Sequence, residues 1–332
     1  MNRLLKYIKY IATALAGLCA ASGAAQTDPN LTQYFQAPSY INPAAAGSTD
    51  LLRLRAGSRL QWLGISGAPR DFMAAADVPF ALFGRRWGGG VTMFQESIGL
   101  YNTFSINGQL SARQKIGKGY LTVGVQFGYL TQAFKGSEVD IPDDDDYHDS
   151  NDEAIPGFDV EGNHFDMAVG LGYTHKWFNV GVACSHIMSP TIKMQREGSQ
   201  GSGSSDEQYF EFQFRRNLYF IASSNIPIKN TLFEVLPSVM VRSDLLTVQA
   251  DISARVRWKK FLTAGIGYRT ADAVSVMLEG EFKGITLGYS YDYATSAIMR
   301  ASSGSHEVWL GYSLKLNFGE KNRNRHKSIR VM

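Results

Sequence analysis

Long stretches of this chain alternate between apolar residues and small or polar ones. In 165–174, Phe165, Met167, Val169, Leu171 and Tyr173 share one face, and Asp166, Ala168, Gly170, Gly172 and Thr174 share the other. The same phase runs through 119–132, where Leu121, Val123, Val125, Phe127 and Tyr129 align, and through 284–294 and 307–318. Successive strand residues point to opposite faces, so each stretch reads as a strand with one greasy side. The pattern predicts about fourteen strands, starting near 51, 70, 89, 103, 119, 164, 177, 211, 231, 246, 260, 273, 284 and 306. They run roughly ten to fifteen residues, long for a soluble protein but suited to tilted membrane strands. A soluble sandwich or propeller would need shorter strands whose apolar faces meet. The even count, Tyr and Trp near strand ends, and Gly on the inner face favour the membrane. The predicted fold is all-β, a transmembrane antiparallel up-and-down β-barrel over 51–318.

Charge placement follows the same phase. A cation facing lipid at the midplane costs roughly 2–4 kcal/mol. In the phased strands the charges fall on the inner face: Arg53, Arg55, Arg59, Arg113, Asp166, Asp251, Arg255, Arg257, Glu279, Glu281, Asp292 and Lys315. The strands near 89 and 211 are less regular, which suggests bulges. A lumen holding both signs fits fixed ion pairs, or alternatively a selective conduit.

The connections separate by parity. Every second one is a short basic turn, carrying Lys115 and Lys118, Lys176, Lys229, Lys259 with Lys260, and Lys283; Arg85 and Arg86 join them. The alternate set contains the two longest loops, 136–163 and 190–210. Bacterial barrels keep short turns in the periplasm and long loops outside, and an even strand count returns both ends of the barrel to the periplasm. The periplasmic side is then basic, and the tail 319–332, with Arg323 and Arg325, adds five Lys or Arg against Glu320. The loop 136–163 instead carries eleven acids and no Lys or Arg. It lacks the spacing and Gly of an EF-hand, so a solvated loop is the first reading and divalent-cation binding the second. Residues 198–208 have the composition of a flexible linker.

The first residues change the electrostatic picture. Arg3, Lys6 and Lys9, the apolar run 11–20 and the small residues 23–25 read as a signal peptide spanning 1–25. That apolar run is too short to span a membrane. Cys19 suggests a lipoprotein, but the bulky Leu18 before it argues for ordinary cleavage after Ala25. Removing those residues takes away three positive charges and no acid, so the formal charge of +3 falls to 0. A nucleic-acid partner loses its main support. Cys184 is then the only cysteine, which excludes an internal disulfide and a cysteine-rich metal site.

Residues 26–50 precede the barrel. Within them "QYFQAPSYINPAAAG" (33–47) is aromatic and apolar without either period, and Pro38 and Pro43 interrupt any long helix or central strand. A barrel of this size leaves an interior that its own side chains do not fill. The segment is therefore expected to plug the lumen, burying Tyr34, Phe35, Tyr40 and Ile41, with Arg53, Arg59 or Asp292 bonding its backbone. A disordered leader, or a strap on a partner protein, is the alternative.

Catalytic patterns are missing: there is no HExxH, phosphate loop, GxSxG elbow or CxxC pair. His164, His175 and His186 recur every eleven residues, the strand-plus-turn spacing, and read as interfacial residues. "SGSHE" (303–307) places Ser, His and Glu side by side, which adjacent strand residues cannot use as a triad. A rim-located hydrolase built from distant residues is the weakest of three functional readings, and no cofactor or metal ligand set is expected.

Two stretches carry a family resemblance. "DPNLTQYFQAPSYINPAAAGS" (28–48) with "RLRAGSRLQWLGISGAPRDF" (53–72), and "GYSYDYATSAIMRASSGSHEVWLGY" (288–312), resemble the PorP/SprF family of type IX secretion system outer-membrane proteins of Bacteroidetes. The matching positions are Asp28, Pro29, Gln33, Tyr34, Tyr40, Ile41, Asn42, Pro43, Ala44, Ala46, Gly47, Arg59, Gln61 and Trp62. The acidic loop and the basic tail after Phe318 depart from the family pattern. The resemblance implies an outer-membrane component for protein secretion or surface anchoring of secreted cargo, such as gliding adhesins. Partners would be periplasmic ring and peptidoglycan-associated components, cargo with a C-terminal sorting domain, and outer-membrane lipid. Docking is expected through Lys259, Lys260, Lys283, Arg323 and Arg325. A passive or FadL-like transport channel is the alternative.

Overall fold

The computed structural model describes residues 28–139, 157–196 and 210–316. Its first strands are long and continuous: β1 (Leu51–Leu60), β2 (Arg70–Leu82), β3 (Arg85–Ile98), β4 (Tyr101–Ile116), β5 (Gly119–Phe134) and β6 (Val160–Thr174). Shorter pieces follow: β7 (Phe178–Ser185), β8 (Thr191–Arg196), β9 (Phe210–Gln213), β10 (Asn217–Ser224) and β11 (Ile226–Pro227). The wall continues with β12 (Phe233–Ser243), β13 (Val248–Trp258), β14 (Leu262–Arg269), β15 (Ala273–Phe282), β16 (Ile285–Ala294) and β17 (Ser305–Lys315).

All ladders are antiparallel, and β1 pairs with β17 from Leu51↔Lys315 to Leu60↔His306, closing the ring. β7 and β8 both pair with β6, so they form one interrupted stave. β9 pairs with β8 and runs into β10, which pairs with β7. β11 prolongs β10 along β12. The seventeen segments therefore make a closed barrel of fourteen staves, the number expected from the alternation. Closure leaves no unpaired edge.

Burial follows the predicted phase. Val123, Phe127, Val169, Leu171, Val276 and Leu310 are exposed on the outer face, whereas Thr122, Asp166, Ala168, Ser275 and Trp309 are buried. Exposed apolar side chains around a closed wall are the surface that hydrocarbon requires. Among the described residues no helix is long and apolar enough to cross a membrane. Tight turns join the staves at one rim. Phe83–Gly84 and Lys283–Gly284 both take positive φ (52° and 70°, 49° and 84°), the torsions of two-residue hairpins whose twist matches the strands.

Several details differ from expectation. The third, fourth and sixth strands start at 85, 101 and 160 rather than 89, 103 and 164, because β3 and β4 pair without a break from Arg86↔Arg113 to Ile98↔Tyr101 and β5 and β6 pair out to Phe134↔Val160. The strand expected from 211 is split, and the alternation resets there. Phe214 turns into a small apolar cluster with Leu130, Val160, Ile192 and Met194. Lastly, the residues leading into β1 do not stay at the rim where β1 begins. Asp50 is at that rim, its carbonyl accepting from the Leu316 amide at 2.9 Å, but Asp28 is at the opposite one. Residues 28–50 cross the barrel from mouth to mouth, with a single turn of helix α1 (Pro38–Ile41) and a 3₁₀ turn over Pro43–Ala45. Each begins at a proline, whose fixed φ suits the first helical position.

Candidate functional site

The outer anchor of the crossing segment is Asp28, at the rim that carries the long loops. Its carboxylate accepts from Ser185 Oγ at 3.1 Å and Tyr219 Oη, and meets His186 Nε2 at 3.0 Å. The other ring nitrogen of His186 lies 2.7 Å from Asp166. The imidazole thus bridges two carboxylates, Asp28 and Asp166. Arg242 completes the anchor by donating to the Pro29 carbonyl at 2.8 Å. His186 is therefore a buried bridge and not the interfacial residue expected from its spacing.

Four residues later the segment is clasped at the closing seam. The Thr32 and Gln33 amides each donate to Glu307 on β17 at 2.8 Å. Arg59 on β1 donates to Glu307 at 3.0 Å and to Asp292 on β16 at 2.8 Å, while Thr32 Oγ1 donates to Asp292 at 2.6 Å. Arg269 reaches Thr32 Oγ1 at 3.1 Å and pairs with Asp251 at 2.6 Å. Arg59 and Glu307 are each 1% exposed, so these charges are stable only while they hold one another. Glu307 also takes the Trp309 indole N–H at 2.7 Å.

Below the clasp, Tyr34 donates to Ser238 at 2.8 Å, Arg255 lies over the Phe35 ring at 3.3 Å, and Gln36 donates to Glu279 at 2.6 Å. The chain then swings to the other wall, where Tyr40 packs on Phe94 and Gln109 donates to the Ser39 carbonyl. The Asn42 side chain donates to the Leu171 and Val182 carbonyls and accepts from the Ala44 amide. At the tight-turn rim the Gly47 amide donates to Asp77, which also pairs with Arg53; Arg53 in turn donates to the Ala45 carbonyl. Gly47 has φ +58°, and a Cβ there would strike Gly88 and Val78.

Inner-face glycines make room for this path. A Cβ on Gly88 would collide with the Ala46 carbonyl, one on Gly124 with Pro43 and Ala44, and one on Gly170 with the Asn42 side chain. Spaces remain beside it. One of about 290 Å³ is bordered by Tyr34, Phe35, Asn42, Thr174, Gly181 and Ser223. Another, about 50 Å³, is bordered by Asp28, Tyr40, Thr103, Asn107, Asp166 and His186.

The structure thus brings together Tyr34, Tyr40, Asn42, Pro43 and Gly47 with Arg53, Arg59, Asp251, Arg255, Glu279 and Asp292 inside the barrel. Lys259, Lys260 and Lys283 are exposed at the tight-turn rim, with Lys259 4.8 Å from the Trp258 ring and Lys283 5.3 Å from that of Phe282. Arg323 and Arg325, the expected signal segment 1–25, the tail 319–332 and most of the acidic loop lie outside the described residues. The charge pattern by itself missed Glu307, Arg242, Arg269 and His186. Glu307 and Asp28 do lie in the two stretches that carried the resemblance, and the structure joins those stretches through Glu307, Asp292 and Ser290.

In "SGSHE", Ser305 donates nothing to His306; its hydroxyl takes the Trp62 amide, and His306 packs on Tyr289 and Tyr291 at the outer surface. No cluster of three or more metal-ligating side chains occurs among the described residues.

Comparison with known proteins agrees with this architecture. The model of the family "Type IX secretion system membrane protein PorP/SprF" matches residues 23–312. Among curated proteins the chain has no match. Similar solved structures are barrels with low identity. A FadL homologue of Pseudomonas aeruginosa is 10% identical, covering 90% of this chain and 96% of its own, with a TM-score of 0.48. The Ralstonia pickettii toluene transporter TbuX is 9% identical over 89% and 96%, TM-score 0.47. The CymD monoaromatic hydrocarbon channel is 12% identical over 89% and 95%, TM-score 0.48.

Proposed function

Since the chain belongs to the PorP/SprF family of type IX secretion system membrane proteins, we propose that it acts as a non-enzymatic scaffold of that system in the outer membrane. Its long-loop rim faces outward and engages secreted cargo. Its tight-turn rim faces the periplasm and docks acidic partners through Lys259, Lys260 and Lys283. The observation that carries this reading over a transport channel is the crossing segment, bonded at both mouths and along its length. A conduit would have to break the charged contacts of Asp28, Thr32, Gln33 and Gly47 together. Hydrogen bonds to charged groups contribute roughly 1.5–3 kcal/mol each, so thermal opening of all four is rare.

The basic rim supports the docking half. Lys118, Lys176, Lys229, Lys259, Lys260 and Lys283 are all exposed there, and their attraction for an acidic surface is long-ranged and screened by salt. The test is recovery of bound proteins from native outer membranes with a tag in 295–304, for the parent and for Lys259→Glu/Lys260→Glu/Lys283→Glu. The expected result is salt-sensitive recovery of periplasmic secretion components with the parent, lost in the variant while the barrel stays folded. Equal recovery from both, or rapid small-solute flux through the parent in liposomes, would refute the reading.

A further inference from the structure

A barrel whose first strand starts at the tight-turn rim would ordinarily leave its N-terminal extension at that same rim. Here the chain contradicts this residue by residue. Gly47 and Ser48 are bonded to Asp77 and Arg113 near the tight turns. Thr32 and Pro29 are bonded to Asp292, Arg269 and Arg242, all within three residues of the opposite strand ends. Asp28 is held by Ser185 and His186 at the break between β7 and β8, level with the outer end of β12, since Ser185 pairs with Asn217 and Leu218 with Ser243. From these placements we propose that the chain enters the barrel at its long-loop mouth, with its Asp28 end displayed toward the cell surface, although β1 begins in the periplasm.

Little room is left for the chain to turn back: the described space beside Asp28 is about 50 Å³, far less than a second pass of polypeptide needs. The larger space of about 290 Å³ begins lower, at Tyr34, and none of residues 28–33 borders it. Thr32 is bonded to side chains on β1, β16 and β14, and its amide and that of Gln33 to β17. Those partners straddle the β1–β17 seam, so the segment also ties the closing strands together.

The surface display rests on the outward placement of the long loops, and the experiment separates the two claims. A short protease-cleavable epitope is inserted between Thr27 and Asp28. Parallel proteins carry the same insert within 295–304, at the long-loop rim, or between Lys259 and Lys260. Intact and permeabilised cells are treated with the protease. Cleavage of the N-terminal insert on the same side as the 295–304 insert supports the inference, whichever side that is. Cleavage together with the 259–260 insert overturns it. An independent measurement avoids any insertion: Asp28→Cys with Ser185→Cys in a Cys184→Ala background, oxidised in native membranes. A 28–185 disulfide, found by mass spectrometry in most of the folded protein, is expected. Folded protein without it would overturn the inference.

Discussion

Removing Glu307 is the sharpest perturbation of the crossing segment. Its carboxylate accepts four donors: the Thr32 and Gln33 amides, the Trp309 indole and Arg59. Glu307→Ala deprives Arg59 of one of its two carboxylate partners and orphans three N–H groups in a site that water does not reach. Breaking a buried pair from one side costs about 3–5 kcal/mol. An unsatisfied buried donor costs about 1–3 kcal/mol, partly relieved by relaxation. A loss of about 4 kcal/mol is therefore expected, enough to release residues 28–36 from the seam. Glu307→Gln keeps the shape and one acceptor oxygen but turns an amide group toward donors, and about half that loss is expected. The double variant Arg59→Met/Glu307→Met leaves no buried guanidinium at the seam facing a missing partner. It should lose less than the sum of the two single changes, by roughly 0.5–3 kcal/mol. The assay is urea unfolding of the barrel in lipid vesicles, with limited proteolysis of 28–50 read by mass spectrometry. If Glu307→Ala unfolds within 0.5 kcal/mol (an approximate detection limit) of the parent and its segment stays protected, the clasp does not hold the segment.

Deleting 28–47 while keeping 1–27 should give an inserted, heat-modifiable barrel with raised conductance in planar bilayers; unchanged conductance would show that the segment does not seal the lumen. Gly124→Leu or Gly88→Leu should push against Pro43–Ala44 or Ala46, costing roughly 1–3 kcal/mol and exposing the segment to protease, whereas Gly280→Ala, with nothing within 4 Å of the new Cβ, should be silent. His186→Ala removes the bridge between Asp28 and Asp166 and should increase proteolysis near Asp28; unchanged protection would show that His186 does not hold the outer anchor.

The barrel was legible in the sequence because its determinants are local and repeat. A strand with one face in lipid must alternate, a lipid-facing charge is costly, and a tight turn needs particular torsions. Each constraint is written within ten or so neighbouring residues, so stave number, phase and the inward placement of Arg53, Arg59, Asp251 and Asp292 could all be read from pattern. Starts slipped by a few residues at β3, β4 and β6, and failed at β9 and β10, where Phe214 packs against Val160 and Ile192. That cluster is drawn from distant positions, so no local period announces it. The odd composition of 33–47 marked the segment as something other than wall, but not its route. Only the folded structure decided that Asp28 meets His186 and that Glu307 takes the Thr32 and Gln33 amides, since those pairs are separated by 158, 275 and 274 residues. The inner-face glycines belong to both accounts. Their phase was visible in the chain, but their reason was not: Gly88, Gly124 and Gly170 are small because another part of the chain passes against them.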